Sequence, residues 1–396
     1  MKFDKIEQEF FMTRELLSLD FYGDEIIAAL AVQDDETDSL RLRHALRKPC
    51  RCFAGALIRD MEGAKRELTS VFEDISPYAS DSVSVIVGLR GNFLSFKRAS
   101  GFESVSSRNG IIGTHEIEAA LHNSIPTTIS STLEVIDVLP QSYTIDGNIG
   151  ITNPKGMNGF TLEVETFLSM ALATHLQTLQ HVMEACGCPE YQVLPTNIAL
   201  GETLLNADEK QAGTLLLDIG QAASSAVMYY KGALVEAWEI PFGTHRLAAA
   251  VADLLQNDLE TAQEVLKTYE PGTDEIIDEV LEDAYLQLLQ SIKKELLQSL
   301  IYLQHPSTQL VLCGAAADKT LLKSCKKIFG MRKVRLAVPD ELMTDCTSAD
   351  HPAHAGVLAL ITHALTREQN QLGITQNKES GLLSGLLDRF GLSELF

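Results

Sequence analysis

The sequence has 396 residues, which is long enough for two or more folded lobes. A hydrophobic fraction of 45% and a charged fraction of 22% indicate a globular protein and exclude a largely disordered one. The formal net charge of -22 excludes nucleic acid as a natural partner, because an acidic surface repels a phosphate backbone.

Two similar strand-turn-strand units lie about half the chain apart. In the first, an apolar strand over Leu16–Asp20 leads through a turn at 22–24 into a second apolar run over Ile26–Val32. The same layout returns at Leu215–Asp218, followed by a turn of small residues and a second strand from Ala226. Each unit has the pattern of a β-hairpin, and their repetition predicts a duplicated architecture.

Strands and helices alternate over the rest of the chain. The pattern predicts strands at 82–89 and Leu310–Cys313, and helices at the ranges His115–Asn123, Thr161–Cys186, Gly243–Leu255, Leu259–Tyr269, Ile276–Gln304 and Ala355–Leu365. The helix from Thr161 is predicted from Leu168, Leu172, Leu176, Leu179 and Met183. This alternation indicates an α/β protein with mixed sheets.

No stretch has the roughly 20 apolar residues that a spanning helix needs, and the polar N-terminal residues do not fit a signal peptide. We therefore expect a cytosolic protein. Its seven cysteines are scattered, and the two C-x-C pairs lack the spacing of common zinc sites. We expect reduced thiols and no metal site.

A segment in the first half of the chain carries a family resemblance. Pro140–Asp146 reads Pro-Gln-Ser-Tyr-Thr-Ile-Asp, and Asn153–Gly159 reads Asn-Pro-Lys-Gly-Met-Asn-Gly. Both motifs are similar to those of FtsA, a family of the actin and Hsp70 ATPase superfamily. The resemblance implies an actin-like (ribonuclease H-like) fold of two lobes, with an inserted α+β domain of the 1C type and a C-terminal amphipathic helix.

The resemblance also implies a division of the chain into subdomains. These are 1A at 1–83 and 159–205, the inserted 1C at 84–158, 2A at 206–240 and 305–365, 2B at 241–304, a polar tether at 366–380 and a membrane-targeting helix at 381–396.

The two hairpin turns correspond to the phosphate loops of that superfamily. Such loops need glycine, because only a residue without Cβ lets the backbone N–H groups approach a phosphate. The degenerate loop residues are Asp20, Tyr22 and Gly23 in the first hairpin, Asp218, Gly220 and Gln221 in the second, and Gly314 and Ala315 in a late turn. Tyr22 and Gln221 replace glycines of the family pattern. We therefore expect ATP and magnesium to bind weakly or not at all, and no enzymatic turnover.

The C-terminal segment has an amphipathic pattern. The residues Leu382, Leu383, Leu386, Leu387 and Phe390 fall on one arc of a helical wheel. So short a helix needs an apolar surface to fold on, and the resemblance to FtsA implies that the surface is the cytoplasmic face of the inner membrane at the division site.

The resemblance implies partners as well. These are the C-terminal tail of FtsZ, further copies of the chain through the inserted domain, and other division proteins. The FtsZ-contact candidates are Val280, which replaces a basic family residue, and Lys293 and Lys294. Two other functions stay open: a PilM-like pilus assembly scaffold, and an active ATPase or sugar kinase of the same fold.

Overall fold

The computed structural model describes residues 13–34, 40–54, 57–80, 82–270, 272–296, 308–314, 319–331, 333–337 and 354–372. The first lobe is built on a five-stranded sheet in which the order is β11-β6-β1-β2-β3. Its strands are β1 (Thr13–Tyr22), β2 (Glu25–Asp34), β3 (Leu40–Pro49), β6 (Ser84–Leu89) and β11 (Gln192–Pro195). The first three form an antiparallel meander, and β6 and β11 run parallel to β1.

The first lobe has further elements on the outer side of this sheet. They are the short strands β4 (Phe53–Ala54) and β5 (Leu57–Ile58), the helices α1 (Met61–Ile75) and α3 (Ala173–Ala185), and a 3₁₀ turn at Ser76–Tyr78. Apolar residues of both helices, such as Leu68 and Val182, are fully buried with Leu17 and Leu19 of β1.

The second lobe repeats this plan. Its sheet has the order β14-β13-β12-β15-β16, with β12 (Thr214–Ile219), β13 (Ser224–Tyr230), β14 (Ala233–Ile240), β15 (Gln309–Cys313) and β16 (Val334–Leu336). Three strands again form an antiparallel meander and two run parallel to the first. The predicted duplication is confirmed, and β1 corresponds to β12 and β6 to β15.

The helices of the second half are α4 (Thr196–Leu204), α5 (Ala207–Ala212), α6 (His245–Leu255), α7 (Leu259–Thr268), α8 (Glu275–Glu295), α9 (Lys319–Phe329) and α10 (Ala355–Leu372). Helices α4 and α10 lie between the two sheets. One apolar cluster joins Leu16 and Ile27 of the first sheet, Leu216 of the second, and Ile198 and Leu360 of these helices. The two sheets therefore share a core.

The insertion in the first lobe is an α+β domain with its own sheet, ordered β7-β10-β8-β9. Its elements are β7 (Leu94–Ser104), α2 (Thr114–Asn123), β8 (Leu133–Ile145), β9 (Asn148–Ile151) and β10 (Thr161–Leu172). The strand β6 belongs to the first-lobe sheet and β10 to the insert. The insert thus begins after β6 and includes β10, so the expected boundaries of 84 and 158 are wrong.

Two further predictions differ from the structure, and two others extend beyond the described residues. The predicted helix over Thr161–Cys186 is a strand to Leu172 and a helix only from Ala173. Leu168 and Leu172 are four residues apart, a spacing that also suits one face of a strand. The range 366–380 is not a tether throughout, because α10 continues to Leu372. The described part of the helix predicted over Ile276–Gln304 ends at Glu295, and residues beyond Leu372, including the predicted amphipathic helix, lie outside the described ranges.

Candidate functional site

Two aspartates lie at equivalent places in the two lobes. Asp20 is close to the end of β1, and Asp218 is close to the end of β12. Their backbones pair with Gly88 of β6 and Cys313 of β15 in equivalent registers. Both side chains are buried, with relative exposures of 0% and 1%. Because the two strands end at the cleft between the lobes, the two carboxylates face the same space.

A third side chain, Arg90, fills that space. Arg90 follows β6 directly, so the parallel pairing of β6 with β1 brings it alongside Asp20. Its Nε lies 2.9 Å from Oδ1 and 3.0 Å from Oδ2 of Asp20, and its Nη1 lies 2.5 Å from Oδ2 of Asp218. One buried guanidinium therefore bridges the carboxylates of both lobes.

Tyr22 fills the neighbouring volume. Its ring lies beneath the guanidinium of Arg90, whose Cζ is 4.9 Å from the centroid of the ring. Its Oη lies 3.3 Å from Oδ1 of Asp218 and 3.0 Å from the carbonyl oxygen of Ile219. The residue that replaces a glycine of the first phosphate loop thus belongs to a packed interlobe cluster, where a cation over an aromatic face is favourable.

The backbone encloses this cluster tightly. A Cβ atom added to Gly314 would lie 2.0 Å from Oδ1 of Asp218, and one added to Gly356 would lie 2.2 Å from Oδ2 of Asp20. Thr196 donates a hydrogen bond of 3.1 Å to Oδ1 of Asp20. The absence of a Cβ at Gly314 and Gly356 therefore leaves room for the carboxylates of Asp218 and Asp20.

A third carboxyl group lies at the edge of the cluster. Glu239, near the end of β14, accepts a 2.9 Å hydrogen bond from the backbone N–H of Gly91, and its other oxygen has no hydrogen-bond partner among the described residues. Burial raises the pKa of Glu239 to about 8, against the opposing effect of Arg90. Burial alone would lower the pKa of Arg90, but Asp20 and Asp218 raise it well above its ordinary value.

The two hairpin turns leave little room for a nucleotide. A Cβ on Gly23 would lie 3.1 Å from Oε1 of Gln221, so the side chain of one turn touches the backbone of the other. A Cβ on Gly220 would lie 2.6 Å from the carbonyl oxygen of Ala223 in its own turn and 3.4 Å from Cζ of Tyr22 in the other hairpin. With Arg90 between the carboxylates, a magnesium ion would meet a fixed positive charge. These residues do not fit a magnesium nucleotide.

The structure brings together most of the predicted loop residues. Asp20, Tyr22, Gly23, Asp218, Gly220, Gln221 and Gly314 surround one cleft, whereas Ala315 lies outside the described residues. Arg90, Thr196 and Glu239 also belong to the site, and none of them was predicted from the sequence. A partial signal for Arg90 existed, because this charged residue directly follows the apolar strand predicted at 82–89, but the sequence does not show which strand that one pairs with.

The predicted FtsZ-contact residues do not form one cluster. Val280 and Lys293 both lie on α8, and 13 residues at 1.5 Å each separate them by about 20 Å along the helix. Lys293 Nζ is committed to the carbonyl oxygen of Ile328, at 2.6 Å. Lys294 is exposed, and Val280 is half-buried. Lys294 is therefore the more accessible of the two lysines.

Two duplicated lobes that share a core, with an equivalent aspartate in each, define a protein of the actin-like fold. Among solved structures, the PilM-PilN type IV pilus biogenesis complex superposes with a TM-score of 0.63 at 16% identity, covering 88% of this chain and 98% of that one. MreB 5 of Spiroplasma citri bound to AMPPNP superposes with a TM-score of 0.51 at 12% identity, covering 91% and 98%.

Within the proteins of the actin-like fold, the sequence of this chain is similar to that of FtsA. Residues 91–169 match the family described as the SHS2 domain inserted in FTSA. The chain is 22% identical to the cell division protein FtsA of Neisseria meningitidis serogroup B, over 95% of this chain and 97% of that protein. It is 28% identical to FtsA of Bacillus subtilis over 49% and 46% of the two chains. This chain is therefore a relative of FtsA, and the resemblance predicted from its motifs is confirmed.

Proposed function

We propose that this chain is a cell-division scaffold that works by binding partners and does not turn over a nucleotide. Similarity to FtsA along nearly the whole chain supports the role in division. The observation that carries the second part is the Arg90 guanidinium, which lies between Asp20 and Asp218 where a nucleotide's cation would have to bind. A kinase or ATPase would need that space for the charge-neutralising metal.

Calorimetry and a turnover assay test the loss of nucleotide binding. We expect purified full-length protein to give no binding heat with micromolar affinity for ATP and magnesium, and no phosphate release above background. MreB 5 of Spiroplasma citri, which has been solved with AMPPNP, is a suitable positive control. Micromolar binding with turnover would instead support the alternative of an active ATPase of the same fold.

The proposed membrane anchor is the segment 381–396, which lies outside the described residues. In the described residues, no helix has both the length and the apolar character needed to cross a bilayer. Side chains of the segment carry little net charge, so we expect apolar insertion to dominate its binding. Burial of its five apolar side chains on the predicted helical arc contributes roughly 7 to 15 kcal/mol, before the entropic cost of ordering the segment is subtracted.

Vesicle co-sedimentation tests the anchor. The variants are a deletion of 381–396 and the substitution Leu386→Asp on the apolar arc, with Ser384→Asp off the arc as the charge-matched control. We expect both variants, but not the control, to lose binding to vesicles of phosphatidylethanolamine and phosphatidylglycerol. Unchanged binding of the deletion variant would mean that the segment docks on protein and not on lipid.

The proposed partner of the second lobe is the C-terminal tail of FtsZ, with Lys294 as the contact. This lysine is exposed near the end of α8, a helix that otherwise carries many acidic side chains. A pull-down with the FtsZ tail peptide, comparing wild type with Lys294→Ala and the exposed control Lys97→Ala, tests it. Loss of binding only in Lys294→Ala supports the contact, and full binding by that variant rejects it.

The PilM-like alternative stays open, because the TM-score of 0.63 with the PilM-PilN complex shows a shared fold alone and does not separate the two functions. The pull-down separates the two readings when a PilN peptide replaces the FtsZ peptide. We expect binding of the FtsZ peptide only. Binding of the PilN peptide only would assign the chain to a pilus-type assembly.

Self-association is proposed for the outer end of the insert. Ile149, on β9, is 84% exposed, and Phe160, directly before β10, is 80% exposed. The backbone N–H of Phe160 donates a 3.0 Å hydrogen bond to Asp146 in the β8–β9 turn, so this residue lies beside that hairpin. Large exposed apolar side chains are typical of contact surfaces. Sedimentation velocity should show that Phe160→Asp reduces oligomers, whereas Ile276→Asp, at an exposed apolar position on α8, leaves them. Equal oligomer content in all three proteins would reject this surface.

A further inference from the structure

We propose that Arg90 is a built-in cation that locks the two lobes and the base of the insert in one arrangement, without any ligand. The inference deepens the proposed nucleotide independence and rests on it. The solved MreB 5 complex with AMPPNP shows that this fold can hold a nucleotide. In this chain, the space between Asp20 and Asp218 holds a side chain of the chain itself.

The lock is set by where the three charged groups are attached. Arg90 and Asp20 belong to the first lobe, and their contacts at 2.9 and 3.0 Å hold the guanidinium in a fixed orientation. The contact of Nη1 with Asp218 crosses to the second lobe. A planar guanidinium suits this task, because its donors are arranged rigidly and can reach two carboxylates at once.

The same position connects the lobes to the insert. Arg90 and Gly91 are the first two residues of the link between β6 of the first sheet and β7 of the insert, which begins at Leu94. The N–H of Gly91 donates to Glu239, which lies on the second-lobe strand β14. Two adjacent residues therefore make separate interlobe contacts at the base of the insert. The placement of the insert follows from the same contacts that close the cleft.

Electrostatics explains why the lock is permanent. Asp20 and Asp218 are both buried, and two carboxylates facing one space repel each other unless a cation lies between them. Arginine stays charged at every physiological pH. A metal or nucleotide leaves when its concentration falls, whereas Arg90 is covalently part of the chain. We therefore expect the closed arrangement to be insensitive to nucleotide and to chelators.

Removal of the side chain gives a sharp test, because Arg90→Ala leaves two buried carboxylates around a space of guanidinium size. Amide exchange is measured on the full-length protein, with Arg98→Ala as the control, since Arg98 is exposed and its contact with exposed Glu165 is a loose one of 3.8 Å. In Arg90→Ala we expect exchange at Gly91 and in the hairpin after Ile219 to rise by roughly 100-fold or more, because breaking a buried pair strands a charge.

Chemical rescue distinguishes a cation from mere packing. Millimolar guanidinium chloride should restore slow exchange in Arg90→Ala, and potassium chloride of equal ionic strength should not. If Arg90→Ala does not fold, Arg90→Lys replaces it, and faster exchange at the same amides is expected because one ammonium cannot match the forked geometry. Wild-type exchange in the variant that folds, or an absence of guanidinium rescue in folded Arg90→Ala, would overturn the proposal.

The two proposals fail separately. Micromolar binding of ATP by wild type in calorimetry would reject nucleotide independence. Absence of ATP binding together with wild-type exchange in the Arg90 variant would leave nucleotide independence standing and reject the lock alone.

Discussion

Tyr22 of the first lobe donates a hydrogen bond to Asp218 of the second, over an Oη–Oδ1 distance of 3.3 Å. The same Oη is 3.0 Å from the carbonyl oxygen of Ile219, so one hydroxyl hydrogen is shared between two acceptors. Because Tyr22 is only 5% exposed, water cannot readily replace a hydrogen bond that is lost there. A residue that replaces a loop glycine thus ties the two hairpins together.

We expect Tyr22→Phe to destabilise the protein by about 1 to 2 kcal/mol, because a buried acceptor loses its donor while the ring keeps its place beneath Arg90. Urea unfolding followed by tryptophan fluorescence and circular dichroism measures the change. Tyr78→Phe is the matched control, since Tyr78 is 45% exposed. An equal effect in both variants would show that Tyr22 contributes no special interlobe bond.

The raised pKa of Glu239 makes a pH-dependent prediction. Between its unfolded value near 4.5 and the folded value of about 8, the folded state holds a proton that the unfolded state has lost. The contribution of Glu239 to the free energy of unfolding is therefore fully present below pH 4.5 and is lost as the pH rises toward 8.

The variant Glu239→Gln mimics the protonated acid and keeps an oxygen that can accept from Gly91. We expect its free energy of unfolding to match that of wild type near pH 5 and to exceed it at pH 8. Glu163→Gln, on the exposed face of β10, should leave the pH profile unchanged. Parallel profiles for wild type and Glu239→Gln would contradict the raised pKa.

The duplicated sheets were predictable because each begins with a strong hairpin pattern. Both hairpins, with Asp20 and Asp218 near the end of their first strands, follow from local sequence alone. The strand β10 was not predictable in the same way. Its residues from Phe167 to Ala171 are all buried, and a strand that is covered on both faces loses the alternation that separates it from a helix.

For the site, the sequence alone predicts only that glycines of the loops have been replaced. The replacement of family glycines by Tyr22 and Gln221 is readable from the sequence, and it predicts weak or absent nucleotide binding. What fills the cleft depends on Arg90, which is 70 residues from Asp20 and 128 from Asp218. Such contacts arise from the pairing of β6 with β1 and from the docking of the lobes, which no local pattern encodes.

The insert has a close backbone contact at Gly101 that predicts a sensitive position. A Cβ on Gly101 of β7 would lie 2.0 Å from the carbonyl oxygen of Ala120 and 2.5 Å from the backbone nitrogen of Ser124, where α2 ends. Backbone atoms cannot give way as a side chain can. We expect Gly101→Ala to destabilise the insert by about 1 to 3 kcal/mol through overpacking.

Amide exchange within 94–172 locates that effect. Ser100→Ala is the control, because Ser100 is exposed and adjacent on the same strand. Faster exchange in α2 and β7, with unchanged exchange in β12 to β14, is the expected pattern. Wild-type exchange throughout Gly101→Ala would mean that α2 moves away from the sheet without loss.

His363 on α10 leads to a pH-dependent prediction opposite to that for Glu239, because its contribution to stability is lost as the pH falls. Its side chain is 3% exposed, and its Nε2 has no hydrogen-bond partner among the described residues. Burial, together with the nearby charge of Arg367, lowers the pKa of His363 to about 4, against the opposing effects of Asp137 and Glu202. As the pH falls from 6.5 toward 4, the unfolded chain takes up a proton that the folded chain does not, so stability is lost on acidification by up to about 3 kcal/mol.

The substitution His363→Gln removes the titrating group but leaves a polar side chain in the same place. A constant difference in the free energy of unfolding between the variant and wild type is not the readout, because a change in packing shifts stability equally at every pH. The slope is the readout: between pH 6.5 and 4, stability should fall less steeply in His363→Gln than in wild type. The exposed residue His181 provides the control, and His181→Gln should keep the wild-type slope. If His363→Gln keeps that slope as well, then His363 is protonated in the folded protein, and the Asp137 and Glu202 carboxylates outweigh its burial.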